Sequence, residues 1–183
     1  PARSGPPPAC VQSPAPAGDW TQAGGGPERA GGHLSAPATL SRVWQADAGA
    51  DGDGRDKGGG PVILGGRVFV RDGESAVLAF DAASGRRLWE TDLTPEGEES
   101  EDAYGGGLAA TAGVLVATTG FGEMVGLSPE TGEALWRLST GAPVRAAPGA
   151  ADGRAVAVNR AGTVTAADAA TGARLWSAES DMR

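Results

Sequence analysis

The sequence predicts an all-β chain, the front part of a β-propeller, on three observations. One segment pattern ending in Leu-Trp occurs three times, at a spacing typical of propeller blades. Short apolar clusters such as Val68-Phe69-Val70 and Val114-Leu115-Val116 alternate with turns that carry glycine. Helix-forming stretches are scarce, while Gly (31) and Pro (13) are abundant. That richness borders on low complexity, yet five Trp and the apolar clusters need a core, so disorder is expected only in particular segments.

Residues 1–39 are expected to form a disordered tether, Pro- and Ala-rich at first and Gly-rich afterwards. Within it, Trp20 and Leu34 have the side chains to lie against a folded body. The partial propeller is expected over 40–183. It opens with a closing strand at 40–47 and continues with blades at 60–93, 104–140 and 143–179.

The repeat carries this division. Residues 67–89 align without a gap on 114–136, an offset of 47 (89 to 136), and these on 154–176, an offset of 40 (136 to 176). Gly66, Gly113 and Gly153 coincide, as do Gly85, Gly132 and Gly172, then Leu88, Leu135 and Leu175, then Trp89, Trp136 and Trp176. Each unit reads as four strands. In the third they are 144–147, 155–158, 163–167 and 174–177, with turns around 151–153, 160–162 and 169–172. Second-strand residues are apolar at consecutive positions, the pattern of a strand covered on both faces.

Trp44, in Ser41-Arg42-Val43-Trp44, stands 45 residues before Trp89 (44 to 89) and lacks the preceding turn motif. It fits a strand that the N-terminus lends to the last blade, which protects a sheet edge. Three blades cannot close a ring of the usual size, so the chain is expected to be a fragment ending after its third blade. Its uncovered flanks are expected to lower solubility or drive self-association.

The shared signature runs from Ala79 to Trp89, Gly126 to Trp136 and Ala166 to Trp176. Asp81, Ser128 and Asp168 are placed to accept backbone N–H bonds and hold the turn. Gly85, Gly132 and Gly172 supply the positive φ that a tight exit needs. The small residue at 79, 126 or 166 is expected to leave room for an indole docking from an adjacent blade. The indole then buries its rings between sheets and finds an acceptor for its N–H.

This signature resembles the tryptophan-docking motif of pyrroloquinoline-quinone-type propeller repeats. The entry segment Asp19-Trp20, Gly31-Gly32-His33-Leu34 and Ser41-Arg42-Val43-Trp44 adds to it, as do Arg67-Val68-Phe69-Val70 and Tyr104-Gly105-Gly106-Gly107. Together they look most like the BamB family of outer-membrane assembly factors, in an alphaproteobacterial form, over residues 19–179. The resemblance implies an eight-bladed ring on the periplasmic face of the outer membrane. It implies a non-enzymatic scaffold that contacts the periplasmic domains of the BamA insertase and serves unfolded outer-membrane proteins. Family members are anchored through a lipidated N-terminal cysteine, which makes Cys10 the candidate anchor. Pro7-Pro8-Ala9 before it departs from the apolar lipobox.

Two other classes share the fold. A quinoprotein dehydrogenase needs a Ca²⁺ held by carboxylate and amide oxygens, a general-base Asp and, in many members, a disulfide of adjacent cysteines. This chain offers one Cys and one Asn, Asn159. A propeller sensor of a signalling protein is the third class, to be exposed by a kinase or membrane-spanning segment in the gene. Catalytic residues, cofactor and metal are therefore expected to be absent.

The remaining features have plain readings. A net charge of −8 with no basic stripe disfavours nucleic acid. The single cysteine excludes an internal disulfide, and no run of about 18 apolar residues predicts a membrane helix. Asp51, Asp53 and Asp56 resemble a calcium loop but lack the downstream bidentate Glu, so a solvated connection is expected. The acidic run 96–102 and the lone His33 are read as solvent-facing.

Overall fold

The computed structural model describes residues 18–28, 35–36, 38–50, 59–100 and 104–179. Twelve strands form three four-stranded antiparallel sheets, each a simple meander in chain order. The first sheet holds β1 (Val62–Leu64), β2 (Arg67–Arg71), β3 (Ala76–Asp81) and β4 (Arg87–Asp92). The second holds β5 (Gly106–Thr111), β6 (Val114–Thr119), β7 (Glu123–Leu127) and β8 (Ala134–Ser139). The third holds β9 (Gly149–Ala151), β10 (Arg154–Val158), β11 (Thr163–Asp168) and β12 (Arg174–Glu179). These are three blades of a partial propeller, and no α-helix occurs among the described residues.

The blades pack face to face. Val62, Phe69, Val77 and Leu93 of the first meet Leu108, Leu115, Val125 and Leu127 of the second in one buried cluster. The junction between second and third uses smaller residues: Val114, Val116 and Met124 against Val144, Ala155, Ala157, Ala167 and Ala169. Every residue of β6 is buried, because this blade has a neighbour on each side. In β10, Arg154 and Val158 stay exposed, since only one face is covered. Double coverage of the second strand thus applies to the middle blade alone.

Small residues set the spacing where the innermost strands meet. A Cβ built on Gly107 would lie 2.6 Å from Cβ of Ala147, and one on Gly59 would lie 3.1 Å from Cα of Gly107. The blades converge here, so even a methyl on Gly107 has no room.

Two expectations are corrected, on the third blade's first strand and on the tether. The first strand of the third blade is Gly149–Ala151, not 144–147; Val144 makes only a single bridge, to Asn159. Pro148 breaks the run because it has no N–H to give to a ladder. Residues 40–47 carry no strand, and Leu40 and Val43 are 78% and 81% exposed. The closing strand is expected against the last blade of a complete ring, which the described residues do not include, so that pairing stands as a proposal. Nor is the whole of 1–39 a loose tether, for the segment around Trp20 lies bonded against the blades. Residues 1–17, 29–34 and 37, with Cys10, His33 and Leu34, fall outside the described residues.

Candidate functional site

The repeated feature of this molecule is the junction at which one blade's indole seats on the next blade's turn. It begins with a bulge. Ala79 faces Trp89 across β3 and β4, but the following pair is Phe80 with Arg87, so Leu88 is passed over. The same shift follows Gly126, opposite Trp136, and Ala166, opposite Trp176. A bulge adds local twist and re-aims the side chain next to it. Here it turns Trp89 and Trp136 toward the following blade.

The small residue therefore serves the indole of its own sheet, and the expectation of a ring from an adjacent blade is corrected. A Cβ on Gly126 would stand 2.2 Å from Cε2 of Trp136. Ala79 and Ala166 hold the same pairing position opposite Trp89 and Trp176.

What the ring reaches is the next turn. Trp89 donates from Nε1 to the carbonyl of Pro129 (3.1 Å), and Trp136 to the carbonyl of Ala169 (2.9 Å). Trp44 donates in the same way to Ala82 (2.9 Å) although no strand carries it. Under each ring lies a glycine. A Cβ on Gly85 would meet the Trp44 ring at 2.6 Å, one on Gly132 the Trp89 ring at 2.6 Å, and one on Gly172 the Trp136 ring at 2.6 Å. These glycines also have φ of 72°, 77° and 72°, so two independent reasons exclude a side chain. Trp176 is 49% exposed.

Carboxylates and hydroxyls hold the turns. Asp81 accepts the Ser84 N–H (2.8 Å) and hydroxyl (2.6 Å). Asp168 accepts the N–H of Ala170 (3.0 Å) and of Thr171 (2.9 Å), with the Thr171 hydroxyl at 2.9 Å. In the middle blade Ser128 does this more weakly, accepting the Thr131 N–H at 3.3 Å. Secondary ties cross the first junction: Thr91 donates to the Gly132 carbonyl (2.8 Å), and Arg137 to the Leu93 carbonyl (3.2 Å) while also pairing with Glu123 of its own blade (2.8 Å).

The turn bonds favour the ionised carboxylates. The Ser84 hydroxyl holds the Asp81 carboxyl below its ordinary value, and the Thr171 hydroxyl does the same for Asp168, with backbone N–H groups adding to both. A folded-state pKa below the unfolded value contributes stability that is fully present above the unfolded value, about 3.9. That contribution is lost as pH falls through the folded value. The urea midpoint is therefore expected to hold level from about pH 7 to 5 as far as these two groups decide it, and to fall below about pH 4. Midpoints measured across this range should decline less in Asp81→Asn, Asp168→Asn protein.

A second turn family was missed in the sequence. Asp72, Thr119 and Asn159 occupy one repeat position between the second and third strands. Asp72 accepts the N–H of Glu74 and Ala76, Thr119 that of Glu123, and Asn159 those of Ala161 and Thr163. Asn159, the residue of interest for a calcium site, also donates to the Thr140 carbonyl at 2.6 Å and is 5% exposed. The signal was present as a side-chain acceptor at a fixed offset, hidden by three different residue types.

Among the described residues no three His, Cys, Asp or Glu side chains converge as a metal would require. Residues 51–58, with Asp51, Asp53 and Asp56, lie outside the described residues, as do 101–103 of the acidic run.

Comparison with known proteins gives this architecture a family. BamB of Shewanella oneidensis is 31% identical over 122 residues, 63% of this chain and 31% of its own length. The quinohemoprotein alcohol dehydrogenase ADH-IIG of Pseudomonas putida is 29% identical over 132 residues, 63% of this chain but 18% of its own. Its solved structure matches with a TM-score of 0.64 at 20% identity, covering 88% of this chain and 26% of that one. The structure of BamB from Moraxella catarrhalis matches with a TM-score of 0.53 at 21% identity, over 63% of this chain and 34% of that one. This chain thus spans about a third of the BamB relatives and less of the dehydrogenase. The family profile described as outer membrane protein assembly factor BamB matches residues 32–100 and 75–182. With three tryptophan-seated blades under that match, the chain belongs to the BamB family of outer membrane protein assembly factors.

Proposed function

We propose that the protein is a non-enzymatic scaffold of outer-membrane β-barrel assembly that holds the periplasmic domains of the BamA insertase. The family match over residues 32–100 and 75–182 carries this reading. The junction residues agree with it: Trp44, Trp89 and Trp136, with Asp81 and Asp168, all have partners within blade packing. A rigid ring presents loops and sheet edges to a partner, and unfolded barrel strands are received by strand addition. The protein works on the periplasmic face of the outer membrane, with Cys10 as its lipid anchor. Intact mass of protein taken from its native membrane checks the anchor, and an unmodified Cys10 removes it.

The full-length protein is expected to retain the BamA periplasmic domains in a pull-down. No binding at micromolar concentration counts against the proposal. The likeness to ADH-IIG supports a second reading, a quinone-dependent dehydrogenase. Adding pyrroloquinoline quinone and Ca²⁺ to the full-length protein and following alcohol-dependent dye reduction separates the two, and turnover would favour the enzyme.

A further inference from the structure

Three consecutive residues ahead of the repeats bond to three successive blades. Trp20 exchanges backbone bonds with Ile63 of β1, N–H to carbonyl in both directions at 2.8 Å. The carbonyl of Thr21 accepts the N–H of Ala110 in β5 at 2.7 Å. The side chain of Gln22 then meets β9: its amide nitrogen donates to the Ala150 carbonyl (3.0 Å), and its oxygen accepts the Ala150 N–H (3.2 Å). Gln22 is 3% exposed. A turn closes the segment, with Thr21 N–H on the Gly25 carbonyl (2.8 Å) and Gly25 N–H on that of Gln22 (3.0 Å). At the other end Asp19 accepts the Gly65 N–H at 3.0 Å.

β1, β5 and β9 are the first strands of their sheets, and each has a ladder partner on one side only. Their second edges would otherwise present unpaired backbone groups, which is costly when buried and an invitation to foreign strands when open. A glutamine amide can present one N–H and its C=O in a plane, as a peptide unit does. It can satisfy a strand edge on which the main chain has already turned away.

We infer that residues 19–25 form an internal strap that fixes three blades at their inner edges, with Gln22 as the positioning residue that reads the third. The strap gives the inner edges at Ile63 and Ala150 a resident occupant. An extended peptide can pair there only after the strap leaves, so strands added from outside go to other edges.

Hydrogen exchange of the full-length protein tests it, read by mass spectrometry on peptides covering 60–65, 106–111 and 147–152. In Gln22→Ala, exchange in 147–152 is expected to rise about tenfold or more, with a smaller rise in 106–111. The β10–β11 ladder should stay as protected as before. Gln22→Met keeps the volume and removes the amide, so it should give the same local pattern even where the alanine variant folds poorly. Unchanged exchange in 147–152 in both variants overturns the strap. Uniform acceleration of all strands in both variants also overturns it, because Gln22 would then support stability in general and no particular edge.

Discussion

Trp136→Ala is expected to destabilise the chain by about 3 kcal/mol, the low end for removing a large aromatic from a packed site. Its ring touches two buried clusters, one with Val114, Val116, Ala155 and Ala169 and one with Met124, Val144, Ala157 and Ala167. Removing it opens a cavity on both and strips the Ala169 carbonyl of its donor. Trp176, 49% exposed, is the internal control: Trp176→Ala should cost about 1 kcal/mol or less in the same chain. Gly172→Ala should reproduce much of the Trp136 loss from the opposite side, since the added Cβ falls 2.6 Å from the indole at a φ of 72°. Both residues serve one contact, so the double variant should lose less than the sum. Urea unfolding of the four proteins checks this. Equal losses for Trp136→Ala and Trp176→Ala would remove the seat from the account of stability.

Gly106→Ala should cost about 3 kcal/mol or more, for a reason unrelated to the indoles. At φ 114° this residue lies where side chains are hardly tolerated, and its Cβ would stand 2.0 Å from the Thr118 carbonyl oxygen. The clash is with backbone that β5 and β6 share, so no rotamer change relieves it. Gly141→Ala is the comparison: φ is 83° but the space is open, and about 1 kcal/mol is expected. Thermal unfolding of both variants separates backbone strain from steric exclusion. Similar melting temperatures for the two would show that the clash at 106 relaxes.

The run Tyr104-Gly105-Gly106-Gly107 was legible in the sequence only as a family likeness. Its physical reason lies in tertiary contacts: Arg145 crowds Gly105, Thr118 crowds Gly106, and Ala147 crowds Gly107. No local propensity announces such approaches. The Leu-Trp signature was legible because each part works within one hairpin or against the next repeat, so equal jobs produce equal letters. The turns at Asp72, Thr119 and Asn159 were not, because three side chains with an acceptor oxygen do the same work under different letters. Gln22 was harder still, since it occurs once and answers to a partner as distant as Ala150. At Trp44 the repeat was legible in part: the residue keeps the indole seat on the Ala82 carbonyl, while the strand expected of 40–47 belongs with a last blade that the described residues do not include.

The seats also have a direction. Each tryptophan precedes its acceptor carbonyl along the chain, by 38 residues for Trp44, 40 for Trp89 and 33 for Trp136. A polypeptide emerging N-terminus first therefore always displays the ring before its socket has been made. Closing a loop of that size is inexpensive in chain entropy, and lengthening it adds little. Each newly completed hairpin is met by an older aromatic already waiting for it, and growth order and gripping order coincide.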